Sequence, residues 1–452
     1  MTTIAYTTPN VPTILTVGSF LYLINLAEAI FARFLNAGLL GSLCVGVLFG
    51  PEVSNILPEA IQSAVITIGY IGLLLIVFEA GLSTNLSLLF ENILLSCTIA
   101  LSGMFLPIGI SMLLLRFGFG YHVLQSFAAG AALSSTSLGT TLTILKPAYR
   151  RTRTGTVLMA AALLDDIGGL VIAAILSQLS SSSSLSSGII VRPILVSLGF
   201  AFGVPIFAVI SRYAVEHTCA GKLWVYSPNA QLFIMAITFC GFIAGAKYAG
   251  TSDLFGAFLA GGYLSHIFTS ASASPSVLAF DKHVMPILQV LFSPLFFASI
   301  GSALPIRSLG SVDGSSRVVW RGIVYSLLMG LAKAVVGLWL LVWPDRASGY
   351  GWFGRRLSQY PRDSQGGESP LVANEQSNPS RTRSAALVGL AMIARGEIAL
   401  IVAEISRPLL DIHEPGETSE AFAIVIWATL LNTAGGAIFV GHLLKERKAT
   451  RE

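Results

Sequence analysis

Charged residues are scarce in this sequence, making up 11% of its 452 residues, whereas 54% are hydrophobic. Soluble proteins carry roughly a quarter charged residues, so most of the surface is expected to face lipid. Patterned cysteine and histidine are also missing: the four cysteines form no CxxC pair and the six histidines show no paired spacing. Neither residue type therefore indicates a metal centre. No cofactor and no nucleic-acid partner are expected.

Long apolar runs dominate the rest of the sequence. The first run contains Glu28 and follows no basic segment, so it is predicted to be a retained helix and not a signal peptide. A membrane-spanning helix needs roughly 20 mostly apolar residues, and about thirteen segments qualify. We therefore predict an all-α polytopic membrane protein. The predicted spans are 11–32, 35–50, 61–80, 91–115, 122–145, 155–178, 189–211, 231–248, 253–269, 285–304, 318–343, 384–406 and 419–444.

Two polar connections and the distribution of basic residues predict the orientation. Residues 177–188 are mostly serine and are predicted to form a flexible loop. Residues 344–383 hold six arginines without a helical period and are predicted to be a disordered cytoplasmic loop. Of the 27 Lys and Arg residues, 18 are assigned to one side of the membrane, seven to the other, and two, Lys333 and Arg395, to the interior of spans. The positive-inside rule then predicts an outside N-terminus and a cytoplasmic C-terminus.

Ionisable residues inside membrane spans are rare and usually mark function. The adjacent pair Asp165 and Asp166 is the most informative, because burial and mutual repulsion both disfavour two neighbouring charged carboxylates. One carboxylate needs a cation partner, and the other becomes a site that holds a proton or a metal cation, as proton-coupled exchange requires. Gly168 and Gly169 leave room for a second backbone. The predicted spans contain Glu28, Glu79, Asp165, Asp166, Lys333, Arg395, Glu397 and Glu404.

The preceding span is rich in hydroxyl groups, which favours a break in its helix near 134–140. Broken helices expose carbonyls and dipole ends that coordinate ions near the membrane midplane. Ser135, Thr136 and Ser137 are therefore candidate ligands of an alkali cation together with Asp166. Small hydroxyl residues also pack membrane helices together, and this alternative remains open.

Three further charged residues are predicted to support the carboxylate pair. Lys333 lies deep in its span and needs a buried anion, for which an aspartate of the pair is the natural candidate. Arg395 and Glu397 flank Gly396 and can pair with each other or with polar groups on crossing helices. A purely structural ion pair and a role in transport both remain open for these two residues. Glu28, Glu79 and Glu404 have no assigned role.

Seven motifs in order resemble the cation:proton antiporter superfamily, in the branch of bacterial sodium/proton antiporters, potassium-efflux antiporters and fungal relatives. Each motif is weakly specific by itself, but together they span about residues 11 to 444. The motifs are FEAGL at 78–82, STSLG at 135–139, LDDI at 164–167, GAFLAG at 256–261, PLFF at 294–297 with Ile300 and Gly301, Lys333, and RGEIAL at 395–400.

The resemblance implies a thirteen-helix protomer, usually a homodimer, built from two inverted repeats with crossed, broken helices in its core. The repeats would be 11–178 and 231–444, joined by a linker helix at 189–211. Core helices would come from about 91–178 and 318–444, with breaks at 134–140 and near 394–398.

By position in the family motif, Asp166 matches the ion-binding carboxylate, and Asp165 matches the neighbour that pairs with the lysine, here Lys333. Relatives with two acidic residues at this motif tend to be electrogenic. This sequence departs from the family in its long 344–383 insertion and in the NTAGG segment at 432–436. No nucleotide-binding regulatory domain is apparent after the last predicted span, which disfavours a glutathione-gated potassium-efflux type.

The expected function is secondary active exchange of Na⁺ or Li⁺ for protons by alternating access, without enzymatic activity. A potassium/proton antiporter on the same scaffold is the nearest alternative. A channel or a non-transporting sensor is more distant. An intramembrane aspartyl protease needs two aspartates that face each other from different helices and share a proton. Here the two aspartates are sequence neighbours, and no second aspartate motif occurs in another span.

Overall fold

The apolar segments of the sequence form helices in the computed structural model. Nine helices in the described part of the chain are long and apolar enough to cross a membrane. Gly38–Phe49 and Val123–Ala132 are shorter apolar helices. The predicted all-helical architecture is confirmed for this part of the chain, and the count of thirteen spans stays a prediction. The structure describes residues 8, 10–35, 38–83, 93–136, 153–181, 187–218, 227–268, 274–304, 306–312, 316–343, 381–395, 397–411 and 419–449.

The first part of the chain supplies nine helices to this description. Pro107 lies inside the fourth, which continues beyond Ser111 as a π-helix over Met112–Gly118. The helices are α1 Val11–Leu35, α2 Gly38–Phe49, α3 Glu59–Leu82, α4 Ile93–Ser111, α5 Val123–Ala132, α6 Arg153–Ser181, α7 Ser187–Thr218, α8 Pro228–Ala249 and α9 Asp253–Ile267.

The second part of the chain is divided more often. The membrane-length segment Met285–Ala303 contains a π-helical stretch at Leu288–Phe292 and is treated as one element, α11. The helices are α10 Pro275–His283, α11 Met285–Ala303, α12 Ile306–Gly310, α13 Arg317–Val336, α14 Trp339–Val342, α15 Arg381–Ala391, α16 Glu397–Ile405, α17 Arg407–Leu410 and α18 Glu420–Ala449.

Two predicted spans are not continuous helices. The predicted span 122–145 leaves the helical conformation after Ala132, and 137–152 lie outside the described residues. The predicted span 384–406 is divided into α15 and α16 by the non-helical stretch 392–395. The break expected near 394–398 is therefore present and begins slightly earlier. Hydropathy averaged over the length of a span does not register such breaks, because most residues within them are as apolar or as small as those of the helices.

Three predicted boundaries were wrong at their ends. The linker helix predicted at 189–211 is longer, since α7 extends over Ser187–Thr218. The loop predicted at 177–188 is shorter, because α6 continues to Ser181 and the Ser180 hydroxyl donates to the Ser177 carbonyl at 2.9 Å. Serine tolerates a terminal turn in this way. The predicted loop 344–383 loses its last three residues to α15, and 344–380 lie outside the described residues.

The helices pack in two groups. In the first, α2 packs against α1 and α11, and α9 packs against α3 and α8. In the second, α6 packs against α4 and α16, and α13 packs against α4, α15 and α18. Helix α7 contacts both groups through α6 and α9, and the groups also touch where α6 meets α9 and where α1 meets α18. Helix α6, which carries the aspartate pair, therefore lies at the centre of the bundle.

Two of the sequence motifs act as packing surfaces between α3 and α9. A Cβ atom at Gly81 would collide with the Phe258 carbonyl, and one at Gly261 would collide with the Phe78 carbonyl. Small residues allow such close approach of membrane helices. The FEAGL and GAFLAG motifs thus bring two helix backbones into direct contact in the first group.

Candidate ion-binding site at the helix crossing

The aspartate pair lies in the middle of α6 and is buried. Asp165 exposes none of its surface and Asp166 exposes 6%. The next turn of the same helix passes close to both broken segments, since a Cβ atom at Gly169 would lie 3.0 Å from Ser135 Cβ and 3.1 Å from Ile398 Cγ2. Glycine at this position lets α6 carry its carboxylates into the crossing of the two breaks.

Asp165 is held by a cation and a hydroxyl through a single oxygen. Lys333 Nζ lies 2.6 Å from Asp165 Oδ2, and Thr136 Oγ1 donates to the same oxygen at 2.5 Å. Lys333 also donates to Thr136 Oγ1 at 2.9 Å. Charge-assisted hydrogen bonds of this length are the strong ones. The expected contact between Lys333 and Asp165 is therefore present, and it closes a ring of three buried side chains.

Arg395 joins the two breaks. Its side chain is fully buried, and Nη1 donates to the Ser135 carbonyl at 2.7 Å. Ser135 follows the C-terminal end of α5, where the helix dipole is negative, so a guanidinium is favourable there. Arg395 itself precedes the N-terminal end of α16, which has the opposite polarity. A cation from one broken helix thus neutralises the exposed carbonyl end of the other.

The charges at the crossing balance in number. Two carboxylates, Asp165 and Asp166, lie in the same buried region as two cations, Lys333 and Arg395. Within the described residues, Asp165 Oδ1 and the Ser135 hydroxyl have no hydrogen-bond partner. Buried oxygens without a partner are expensive, which favours a bound ligand or water. Oxygen atoms of this kind suit a hard cation such as an alkali ion.

The structure places the other predicted site residues as follows. The Thr136 hydroxyl donates to Asp165 and accepts from Lys333, so in this arrangement it supports the ion pair. Ser137 lies outside the described residues. Glu397 is the first residue of α16, but its side chain is outside the described part of the structure. The contact seen for Arg395 is with the crossing segment, as one of its two predicted alternatives stated.

The three glutamates without an assigned role lie on other helices or further along α16. Glu28 of α1 accepts a hydrogen bond from Ser42 of α2 at 3.0 Å. Glu404 lies 3.7 Å from Arg407, one turn later. Glu79 lies in the last turns of α3.

Two buried residues near the crossing were not found from the sequence. The hydroxyl of Thr433, in α18, lies 2.9 Å from the Arg395 carbonyl. Tyr325, in α13, is fully buried with its hydroxyl 2.9 Å from Ser111 Oγ. Because the Ser111 hydroxyl donates to the Ser126 carbonyl at 2.7 Å, Tyr325 donates to Ser111. A polar side chain in an apolar span was the available signal for both residues, but hydroxyl groups are common there.

Comparison with known proteins identifies the family to which this architecture belongs. The family described as "Sodium/hydrogen exchanger, transmembrane" matches residues 17–446, which is nearly the whole chain. The chain belongs to the sodium/hydrogen exchanger family. This confirms the resemblance inferred from the seven motifs, and it makes the chain an integral, multi-pass membrane protein of a transporter family.

Individual relatives of this exchanger-family protein are distant but cover most of its length. The probable Na⁺/H⁺ antiporter GerT of Bacillus cereus is 27% identical over 385 residues, which is 84% of this chain and 86% of GerT. A Na⁺/H⁺ antiporter of Enterococcus hirae is 25% identical over 414 residues, or 90% and 93% of the two chains.

The fold of this exchanger-family protein also resembles a solved structure. The sodium proton antiporter MjNhaP1 from Methanocaldococcus jannaschii at pH 8 aligns with a TM-score of 0.60 and 15% identity. The alignment covers 96% of this chain and 99% of MjNhaP1. At this identity the likeness concerns the fold, and it agrees with the predicted fold class.

Proposed function

We propose that this protein is a secondary active antiporter that exchanges Na⁺ or Li⁺ for protons across a membrane. The names of its relatives GerT and the Enterococcus hirae protein support this substrate pair. The observation that carries the proposal is the buried carboxylate pair at the crossing of two broken segments. Lys333 and Thr136 hold one carboxylate, Asp165, and the adjacent carboxylate is Asp166.

Asp166 is the proposed shared site for the proton and the cation. A bare carboxylate is strongly disfavoured in an apolar, buried position, and either a proton or an alkali cation neutralises it. Ser135 and the carbonyls beside it would add oxygen ligands to the cation. Because both ligands compete for one carboxylate, binding of one requires release of the other. Exchange becomes obligatory if the unneutralised site does not cross the membrane.

Movement of the two helix groups relative to each other would expose the site alternately to the two sides. In this proposal the group that contains α4, α6, α13 and α18 is the moving core, and the group that contains α2, α3 and α9 is the scaffold. Discontinuous helices at the midplane are typical of such transporters. Two inverted repeats, 11–178 and 231–444, joined by the linker helix predicted at 189–211, would generate this arrangement. We propose a homodimer with its N-terminus outside and its C-terminus in the cytoplasm.

The exchange is proposed to be electrogenic. Exchange of one cation for one proton moves no net charge, so an electrogenic cycle needs a second proton per cation. The ammonium of Lys333 carries a proton and neutralises Asp165 while the two are paired. If Asp165 turns toward the cation during transport, that proton is free to leave.

Flux measurements in proteoliposomes test the proposal. Purified protein is reconstituted into vesicles that contain a pH-sensitive dye, and a pH gradient is imposed with the acidic side inside. Na⁺, Li⁺ and K⁺ are then added in turn to the outside. Proton efflux on addition of Na⁺ or Li⁺ is the expected result. Efflux with K⁺ alone would instead favour the potassium/proton alternative. Cation uptake that dissipates no pH gradient would indicate a channel and would overturn the proposal.

A further inference from the structure

The last helix, α18, packs against the break between α15 and α16. Thr433, 2% exposed, places its hydroxyl oxygen 2.9 Å from the Arg395 carbonyl and 2.6 Å from the carbonyl of Thr429 in its own helix. A hydroxyl has one hydrogen, so the two carbonyl oxygens share it in a three-centre hydrogen bond. One side chain therefore ties α18 to a backbone atom of the broken helix.

The backbones of α18 and the break are also in direct contact. A Cβ atom at Gly436 would lie 2.6 Å from the Ala394 nitrogen and 2.7 Å from its Cα, so only glycine fits without displacing the break. Thr433 and Gly436 are three residues apart and share one face of the helix. Both belong to the NTAGG segment at 432–436. That segment therefore forms the support for the break.

The position of the Arg395 backbone decides where its guanidinium lies. Arg395 Nη1 donates to the Ser135 carbonyl at 2.7 Å, and the next residue, Thr136, donates to Asp165 Oδ2. Residues 392–395 follow the end of α15, where regular helical hydrogen bonding is interrupted, so contacts from outside the helix fix their conformation. A displacement of the Arg395 backbone would therefore move Ser135 through the first hydrogen bond and Asp165 through the second.

We propose that Thr433 is a positioning residue for cation binding: its hydroxyl fixes the Arg395 carbonyl and thereby the wall of the site formed by Ser135 and Thr136. This inference rests on the proposed exchange function. Thr433 does not touch the aspartate pair in this scheme, and it acts only through Arg395.

Thr429 supplies a matched control on the same helix. It is 1% exposed, and its hydroxyl donates to the Val425 carbonyl at 2.9 Å within α18. Thr433→Val and Thr429→Val each replace a buried hydroxyl by a methyl group of similar size, one turn apart. Both variants therefore remove one buried hydroxyl group. Among the described contacts, only Thr433→Val also removes a hydrogen bond to the break, the one to the Arg395 carbonyl. Thr433→Ser keeps the hydroxyl and tests rescue.

Exchange kinetics and the yield of folded protein are measured for all four proteins in the same proteoliposomes. Thr433→Val is expected to raise the half-saturating Na⁺ concentration by about threefold to tenfold, the effect of one lost hydrogen bond. Its maximal rate per folded molecule should change less. For Thr429→Val and Thr433→Ser, the half-saturating Na⁺ concentration should stay within about twofold of the wild-type value.

Equal half-saturation for Thr433→Val and Thr429→Val, or failure of Thr433→Ser to restore the wild-type value, would overturn the inference. If Thr433→Val does not accumulate as folded protein, Thr433→Ala and Thr429→Ala repeat the comparison with a smaller side chain. A wild-type protein without Na⁺-driven proton efflux would overturn the proposed function, and this inference with it. If the wild type is active and Thr433→Val has the wild-type half-saturating Na⁺ concentration, only the positioning role is overturned.

Discussion

Lys333 Nζ lies 2.6 Å from Asp165 Oδ2, and both side chains are fully buried. An ion pair of this kind gains little net stability over apolar residues, but removing one partner leaves an uncompensated buried charge. The pair therefore makes each residue dependent on the other, which gives separate predictions for single and double variants.

Lys333→Ala is predicted to destabilise the protein by about 3–5 kcal/mol, because the Asp165 carboxylate loses its cation. It is also predicted to reduce or abolish the voltage dependence of exchange without necessarily stopping exchange. Thermal unfolding in detergent and flux at imposed membrane potentials measure the two effects. Lys282→Ala, at an exposed position on α10, is the matched control and should change neither.

A double-mutant cycle separates the pair from general damage. Asp165→Asn combined with Lys333→Met removes both charges, so it should be more stable than Lys333→Met alone. Unchanged thermal stability and unchanged voltage dependence in Lys333→Ala would show that the pairing does not matter for either property.

Asp166→Asn is predicted to abolish Na⁺- and Li⁺-driven proton efflux, because an amide can neither exchange a proton nor neutralise a cation. The variant should remain folded and inserted, since it removes a buried charge. It should also remove the pH dependence of cation binding. Asp281→Asn, at an exposed position on α10, serves as the control for a lost carboxylate. Robust, pH-dependent exchange by Asp166→Asn would reopen Asp165, Glu79 and Glu397 as carriers.

Gly169→Val is predicted to lower both stability and exchange, because a side chain there presses on Ser135 and Ile398 at the crossing. Overpacking of this kind destabilises by about 1–3 kcal/mol. Gly168 offers an informative neighbour, since a Cβ atom there meets only the flexible end of Met104. Gly168→Ala should therefore retain more exchange than Gly169→Ala. Gly199→Ala on α7, with open space around it, should be neutral in unfolding and flux assays. Equal activity of all three alanine variants would argue against the close approach.

The proposed orientation predicts that the loop predicted at 177–188 is outside and 344–383 is inside. Ser184→Cys should react with an impermeant thiol reagent in intact cells, whereas Ser364→Cys should react only after permeabilisation. The reverse pattern would overturn the orientation. The background for both variants is a protein in which Cys44, Cys97, Cys219 and Cys240 have been replaced.

Much of the architecture was predictable because the bilayer imposes simple constraints on a sequence. Apolar length identified the helices, and the cost of burying charge selected eight ionisable residues within the spans, among them Asp165, Asp166, Lys333 and Arg395. Charge alone predicted an aspartate of the pair as the partner of Lys333, since an ammonium deep in the bundle needs an anion, and the family resemblance implied that it is Asp165.

The exact ends of the helices were less predictable than the presence of the breaks: breaks were expected near 134–140 and 394–398, whereas the helical conformation ends at Ala132 and Ala391. The predicted span 122–145 gave no hydropathy signal at Ala132, where α5 ends. Hydropathy reports the solvent that a segment prefers, and it does not report whether the backbone inside the bundle is helical.

The sequence by itself determined that this is a helical membrane protein with a buried carboxylate pair and two buried cations. The reason is that the free energy of moving a side chain from water into apolar surroundings depends on its residue type. Only the tertiary structure decided which atoms these groups contact. Arg395 meets the Ser135 carbonyl, and Thr433 meets the Arg395 carbonyl. Backbone carbonyls are present at every residue and carry no sequence signal. Their partners are therefore set by how the helices cross.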